Sequence, residues 1–391
     1  MKNEYVPLVL IALLLVSSAS TYLVVIPTLE KLFSNPSPSP TMQPTNQPTA
    51  TVQVRPKLKV FSVLSLNCTE CSGTAGVIAQ LESAGSDFNN TNIEYTSLLG
   101  KELVQNYNLT KIPSVVISGE INLPSINYTL STIGNVTKDA VIFDSPEPVY
   151  LDLKTGKKVG IVQVTYLSTK YCKECSDFSN LLDLLRQSGI YIDTNENSVV
   201  PSETAAGKAL VKQYNLTRLP GLILSNDAGA YREFEKAWAE IGNVEYDGSF
   251  VLKDNLPPYF DIAKNKTIGL VNVTFLLDQS CPQCYNVSVH DDVLTRYQIS
   301  VKNRTGIDVS TKAGLALVKL YNVTAVPTVI LSSDASAYEN FATKIWPQVG
   351  SFEKDGSLVF RNMDALDKPV YRNLNTSKIM NLPANATNST A

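Results

Sequence analysis

The sequence predicts an α/β protein in which one small domain is repeated three times in tandem. A Cys-x-x-Cys motif occurs three times, and each copy is followed 42, 45 or 43 residues later by the proline of a Tyr-Asn-x-Thr-x-x-Pro block. These prolines, Pro113, Pro220 and Pro327, are spaced 107 residues apart. A period of this length is far too long for a solenoid repeat and fits one domain per repeat.

Strand and helix patterns alternate in the same order within each repeat. A β-branched segment opens the repeat, at residues 59–64, 160–166 and 269–275. The Cys-x-x-Cys motif follows and is expected to begin a helix, for example over residues 176–186. A second predicted helix precedes the tyrosine, and an apolar strand follows the proline, at residues 115–117, 222–224 and 329–331. Closing strands are predicted after the turns at Asp247 and Asp355.

The cysteine motifs indicate redox chemistry. Two cysteines spaced i, i+3 can close a small disulfide, and at a helix N-terminus the free N–H groups and the macrodipole favour a thiolate. A single motif would fit half of a zinc site equally well. Three copies, each with the same proline block, favour reversible thiol–disulfide exchange instead. The pairs use all six cysteines of the chain: Cys68 and Cys71, Cys172 and Cys175, and Cys281 and Cys284.

Together these motifs resemble the thioredoxin superfamily, over about residues 57–372. The resemblance implies three tandem thioredoxin-like domains, each with a central mixed sheet flanked by helices. It implies that Cys68, Cys172 and Cys281 are exposed attacking thiolates and that the second cysteines are more buried resolving partners. The thiol–disulfide exchange that the resemblance implies requires no cofactor. A static local disulfide kept only for packing is the alternative at each pair.

The resemblance also assigns a client-binding role to the proline turns. It implies a cis peptide bond before each proline, close to the disulfide, with the backbone of the preceding residue free to pair with a client strand. The implied client-binding residues are Ile112 and Pro113, Leu219 and Pro220, and Val326 and Pro327. An ordinary trans proline that starts a strand is the alternative.

Two features depart from the family pattern. Thioredoxins carry a buried aspartate as a proton relay six residues before the first cysteine, where this chain has Ser62, Tyr166 and Phe275. Glu70 and Glu174 lie between their cysteines, where a negative charge opposes a second thiolate and keeps the attacking thiol less acidic.

The N-terminal region predicts a membrane anchor. Residues 6–26 carry no charge over 21 positions, and at about 1.5 Å per residue such a helix spans one bilayer core. A cleaved signal peptide is the alternative, but apolar residues resume at 22–26, which favours an uncleaved anchor. Residues 34–56 are rich in Pro, Ser and Thr and predict an extended stalk. The remainder is expected to leave the cytoplasm.

Charge, sequons and the remaining motifs narrow the function further. The net charge of −3, without a basic stripe, argues against nucleic-acid binding. The chain has 14 Asn-x-Ser/Thr sequons, which favours an exported, glycosylated protein. Asn108, Asn215 and Asn322 lie in sequons, although a left-handed turn also explains asparagine there. His290, the single histidine, is interpreted as a surface or packing residue, so no metal site is expected.

These observations lead to one functional hypothesis and one alternative. The first is a membrane-anchored, extracytoplasmic thiol–disulfide oxidoreductase or isomerase that acts on thiols and disulfides of exported proteins, with a redox partner in the membrane as a further candidate. The alternative is a non-catalytic, glycosylated surface spacer built from redox-inactive domains. The predicted segments are an anchor (1–33), a linker (34–56), three domains (57–153, 154–264 and 265–374) and a disordered tail (375–391).

Overall fold

The structure is a computed structural model that describes residues 55–175, 177–195, 197–253 and 255–382. The predicted membrane anchor and almost all of the predicted linker lie outside the described residues, as does the end of the predicted tail. Within the described ranges, no helix combines the length and apolarity needed to cross a bilayer.

The first unit opens with a strand–helix–strand crossover. Strand β1 (Lys57–Leu64) leads into helix α1 (Ala75–Ser83) and then into β2 (Asp87–Glu94), which pairs with β1 in parallel. The remaining elements are α2 (Leu98–Tyr107), β3 (Lys111–Ile112), β4 (Ser114–Gly119), α3 (Pro124–Ile133), β5 (Asn135–Val136), β6 (Ala140–Phe143), β7 (Tyr150–Asp152) and β8 (Lys157–Val159).

Two sheets form from these strands. The larger one has the order β2-β1-β4-β6-β5, in which every pairing except β1–β2 is antiparallel. The smaller one has the order β3-β7-β8 and joins the two-residue strand before Pro113 to the hairpin that ends the unit.

The second unit repeats this plan. Its elements are β9 (Val164–Ser168), α4 (Ser179–Gln187), β10 (Ser198–Pro201), α5 (Ala205–Gln213), β11 (Arg218–Leu219), β12 (Gly221–Leu224), α6 (Phe234–Trp238), β13 (Gly242–Val244), β14 (Phe250–Leu252), β15 (Tyr259–Asp261) and β16 (Lys266–Ile268). The sheet orders are β10-β9-β12-β14-β13 and β11-β15-β16. A 3₁₀ helix over Asn226–Ala230 precedes α6.

The third unit has the same topology. Its elements are β17 (Val271–Leu277), α7 (Ser288–Arg296), β18 (Val301–Asp308), α8 (Lys312–Tyr321), β19 (Ala325–Val326), β20 (Thr328–Leu331), α9 (Trp346–Val349), β21 (Gly350–Phe352), β22 (Leu358–Phe360), β23 (Tyr371–Asn373) and β24 (Lys378–Met380). The sheet orders are β18-β17-β20-β22-β21 and β19-β23-β24. The predicted mixed sheet flanked by helices, occurring three times, is confirmed.

The terminal hairpins define where each small sheet ends. The predicted domain joints at 153/154, 264/265 and 374/375 all fall within the turns of these hairpins. In the first unit, Leu151 and Lys158 are register partners across the hairpin. The three-stranded sheet of this unit therefore continues through Val159, six residues past the predicted joint.

The cores are built by strand faces and short helices. Trp238 and Trp346 are almost fully buried, at 1% and 3% exposure. The indole N–H of Trp346 donates to the carbonyl of Ser351 at 3.0 Å. The first unit has no tryptophan, and Ile126 and Leu130 of the longer helix α3 fill its core instead.

A glycine near the start of the second helix recurs in all three units. Gly100, Gly207 and Gly314 each donate their backbone N–H, at 3.0 Å, to a Ser or Thr side chain that caps the helix. A Cβ atom at Gly100 would lie 2.2 Å from the Glu94 carbonyl oxygen. The same close approach at the other two glycines shows that the helix packs its backbone directly on the end of the preceding strand.

The helix ends also follow the sequence prediction. Asn108, Asn215 and Asn322 all adopt the left-handed conformation, with φ of 49° at each. Asparagine tolerates this region better than most residues because its short side chain can bond locally.

Gly100→Ala and Gly76→Ala test the close packing within one unit. Gly100→Ala forces backbone apart, so we expect a loss of about 1–3 kcal/mol in the free energy of unfolding. Gly76, in helix α1, has room for a Cβ atom, because no atom beyond its adjacent residues and its own helix backbone would lie within 4 Å of it. Gly76→Ala should therefore leave stability unchanged or raise it by up to about 1 kcal/mol. Denaturant unfolding measures both. Equal losses in the two variants would contradict the packing argument.

Candidate functional site

The cysteine pairs lie in turns between a strand and a helix. Helices α1, α4 and α7 begin at Ala75, Ser179 and Ser288, several residues after the second cysteine. The prediction that each motif begins the helix is therefore wrong. The first and third cysteine pairs each form a separate tight turn, which a backbone hydrogen bond closes. Cys71 N–H donates to the Cys68 carbonyl, and Cys284 N–H donates to the Cys281 carbonyl.

This placement changes the electrostatic argument for the thiolates. The field of a helix dipole falls off within its first turn, and the cysteines precede that turn in the chain. Pro282 lies in the turn formed by the third cysteine pair and not in a helix. Charge near the sulfurs must therefore come from individual side chains, which differ among the units.

All six cysteines form local disulfides, and no described cysteine is free. Cys68, Cys172 and Cys281 are buried, with exposed fractions of 7%, 7% and 4%. Their partners, the second cysteines of the motifs, are half-buried. This order is the reverse of the expected one, in which the first cysteine is the exposed member.

The predicted proline turns lie next to the cysteines. The peptide bonds before Pro113, Pro220 and Pro327 are all cis, as the sequence predicts. In the first unit, Cys71 Sγ lies 3.8 Å from the carbonyl oxygen of Ile112. In the second unit, Leu219 and Cys172 belong to the same apolar cluster, with Cys175 packed against it.

Each unit therefore combines a parallel strand–helix–strand start, a Cys-x-x-Cys disulfide after the first strand, and a cis-proline turn beside it. Each unit has a thioredoxin-like fold. The larger sheets, the disulfides and the proline turns occur in the same chain order in all three units. The three sites can therefore be compared position by position.

Several solved structures share a distant likeness with the chain. The crystal structure of ERdj5 form II is 12% identical over 78% of this chain, with a TM-score of 0.14. A protein disulfide oxidoreductase from Aeropyrum pernix k1 is 16% identical over 44% of this chain and 77% of its own, with a TM-score of 0.14. Human ERp44 is 10% identical over 70% of this chain and 77% of its own, with a TM-score of 0.13.

These likenesses are too weak to carry a functional argument, because every TM-score is far below 0.5. The chain also spans only 43% of the ERdj5 chain. No protein-family model and no curated protein sequence matches the chain.

The strand edge before each proline is already paired. Ile112 is the register partner of Leu151, Leu219 of Phe260, and Val326 of Arg372, all in the terminal hairpins. The expectation of a free backbone at these three residues is therefore wrong. The sequence did not predict this pairing, because the partner strand has only three residues and lies some 40 residues downstream. No local pattern in so short a strand indicates which segment it pairs with.

The third unit places a carboxylate at its disulfide. Asp278 Oδ, Cys281 Sγ and Cys284 Sγ all lie within 4.8 Å of one another. Burial alone would raise the pKa of Asp278, but hydrogen bonds from Ser280 and Arg372 lower it below its usual value. These three side chains are the described group best placed to ligate a cation after reduction, although Arg372 already engages the carboxylate.

A second polar network in this unit holds the proline turn. The Tyr285 hydroxyl donates to the Pro327 carbonyl at 2.8 Å and lies 3.0 Å from His290 Nε2. Because the hydroxyl has only one proton, His290 must donate through Nε2–H. Burial lowers the pKa of His290 to about 4, against an opposing effect of Asp291. His290 is thus a buried, neutral residue that positions the turn through Tyr285.

This network predicts acid sensitivity of the third unit. Between pH 6.5 and about 4 the unfolded chain protonates His290 whereas the folded unit does not, so stability falls as the pH falls through this window. The loss should reach about 2–3 kcal/mol by pH 4. His290→Leu, which introduces the residue found at the equivalent Leu181, should remove this part of the pH slope.

Trp346 fluorescence in a Trp238→Phe background reports unfolding of the third unit alone, because these are the only two tryptophans. Unfolding midpoints are compared at pH 7 and pH 4.5 with and without the His290 substitution. The same pH slope in both chains would contradict the assignment of a neutral, buried histidine.

Proposed function

We propose that this chain exchanges disulfides with exported proteins, as a membrane-anchored oxidoreductase or isomerase with three redox pairs. One observation carries the proposal: in every unit a closed Cys-x-x-Cys disulfide lies at the same topological position beside the proline turn. Packing alone would not require a short-loop disulfide at one position in three units whose surrounding side chains differ.

The exchange begins from the oxidised pairs. A client thiolate attacks one sulfur, which forms a mixed disulfide and releases the other sulfur as a thiolate. A second client thiolate then attacks the client sulfur of the mixed disulfide and closes a client disulfide. Two electrons pass from the client to the pair, and the released thiolates take up two protons from water. The reverse sequence returns electrons to a client disulfide, and no cofactor takes part.

The placement outside the cytoplasm is part of the proposal. The apolar segment at residues 6–26 supports a single-pass anchor, and the 14 sequons support extracytoplasmic domains. A redox partner in the membrane would reoxidise or reduce the pairs between turnovers. Exported proteins with exposed thiols or disulfides are the proposed clients.

A second candidate function is favoured by a specific observation. The first cysteines are buried and the adjacent strand edges are occupied by the terminal hairpins. A glycosylated surface spacer with static disulfides would have this appearance. The two functions differ in whether the folded chain exchanges its disulfides at all.

Equilibration of the full chain in graded glutathione buffers distinguishes these functions. Thiol trapping with alkylation and mass spectrometry counts the pairs that exchange. We expect at least one pair to equilibrate within minutes in the folded chain. If all three pairs stay closed until denaturant is added, the spacer function is correct.

Single substitutions identify the attacked sulfur. The second cysteine of each pair is the more exposed. A variant that keeps only the second cysteine of a unit should therefore form a mixed disulfide faster than a variant that keeps only the first. The second cysteines are Cys71, Cys175 and Cys284. The matched Cys→Ser variants are compared with an activated aromatic disulfide as reporter. Faster reaction at the first cysteines would restore the order implied by the thioredoxin resemblance.

A further inference from the structure

We propose that the terminal hairpin of each unit is the resident occupant of the edge on which an extended client strand docks, so that exchange requires its displacement. This inference rests on the proposed function and adds the kind of partner and its regulation. The partner is an extended peptide strand that carries a cysteine. It would pair with the same backbone groups that the hairpin now uses.

The backbone of the first unit shows how the hairpin fills the site. Leu151 pairs with Ile112, next to the sulfur of Cys71. Two residues earlier, the Val149 carbonyl accepts the backbone N–H of Ser72 at 2.7 Å. The segment 149–151 thus connects the cysteine turn with the strand before Pro113. A client strand added at this edge would have to occupy the same place.

The third unit repeats this arrangement with other residues. The Val370 carbonyl accepts the N–H of Tyr285, the residue after Cys284, at 2.9 Å. Two residues later, Arg372 pairs with Val326. The same two-point bridge in units with different sequences indicates that it is a property of the fold.

Side chains that tie the hairpin to the cysteine turn differ among the units. In the first unit, Lys158 of β8 forms an ion pair with Glu70, between the two cysteines, at 2.6 Å. The two side chains are 34% and 28% exposed, so solvent and salt weaken this contact. The hydrogen bond from Lys158 lowers the pKa of Glu70, so the carboxylate stays ionised, and the adjacent ammonium group of Lys158 offsets part of its charge beside the cysteines.

The second unit uses an aromatic contact. The ring of Tyr171, which precedes Cys172, stacks on Phe260 of β15 with centroids 4.6 Å apart and an interplanar angle of 19°. Thr267 of β16 also donates its hydroxyl to the Tyr171 carbonyl at 2.9 Å. Neither the aromatic stacking nor this hydrogen bond involves a charged group, so both should respond little to salt.

The third unit has the strongest side-chain contact between the terminal hairpin and the cysteine turn. Arg372 donates through Nε to Asp278 and through Nη2 to Ser280 Oγ, the latter at 3.0 Å. The Asp278 side chain is only 3% exposed, so these charge-assisted bonds are largely protected from water. Ser65 and Leu151 occupy the equivalent positions in the first unit, and the ion pair has no counterpart there.

The three ties predict an order in which the disulfides become accessible. The first unit should open most readily because its ion pair is partly exposed, and the third least readily because its ion pair is largely buried. Timed reduction of the full chain by a small dithiol, with alkylation and mass spectrometry of each pair, measures the three rates. Equal rates, or fastest reduction of Cys281–Cys284, would overturn the order.

A double substitution tests the tie directly. Asp278→Ser with Arg372→Leu gives the third unit the residues of the first and removes one charge of each sign, so the net charge near the sulfurs is kept. Reduction of Cys281–Cys284 should accelerate on the order of tenfold, whereas Cys172–Cys175 in the same molecule should be unchanged. Asp291→Ser with Arg304→Leu is the matched control, because that 2.8 Å ion pair lies outside the hairpin.

Amide hydrogen exchange over residues 371–380 shows whether the hairpin itself has loosened. Faster exchange together with faster reduction supports the proposal. Faster exchange with an unchanged reduction rate would contradict the claim that the hairpin controls access to the disulfide. No change in either rate would contradict the claim that the Asp278–Arg372 ion pair holds the hairpin in place. Failure of the proposed function is separately visible, since the small dithiol needs no protein client: a chain that never transfers its disulfides to proteins can still show or lack the predicted order.

Discussion

The antiparallel pairing between the residue before each cis-proline and the terminal hairpin is the interaction on which the rest of each site depends. It closes the small sheet, and it places residues such as Arg372 beside cysteines some 90 positions earlier. Because backbone groups make this pairing, it persists although the hairpin sequences differ. It also removes from solvent the backbone edge that a client strand would use.

Because the cysteines precede the helices, nearby charged side chains determine the electrostatic environment of the sulfurs. A helix N-terminus would have provided the same field in all three units. Here the first unit has a partly exposed Glu70–Lys158 ion pair, and the third has a buried Asp278 within 4.8 Å of both sulfurs. Three copies of one fold are thereby able to differ in reactivity without any change in topology.

The parts of the site that were predicted correctly follow from local chemistry or from repetition. The left-handed Asn108 and its equivalents follow from turn chemistry, and the cis peptide bonds before Pro113, Pro220 and Pro327 were implied by the resemblance of the repeated block to the thioredoxin superfamily. The helix start was predicted incorrectly because the Cys-x-x-Cys segment forms its own turn, with the helix beginning only at Ala75 in the first unit. The role of Asp278 was missed because its partner Arg372 lies in another element.

The sequence by itself determined three units, their order of strands and helices, and the position of a disulfide and a proline turn in each. These features depend on hydrophobic period and short-range turn chemistry, which are written in consecutive residues. Only the tertiary structure decided that the first cysteines are buried, that the edge at Ile112, Leu219 and Val326 is occupied, and which charges face the sulfurs. Those outcomes depend on pairings between distant segments, whose register no local pattern specifies.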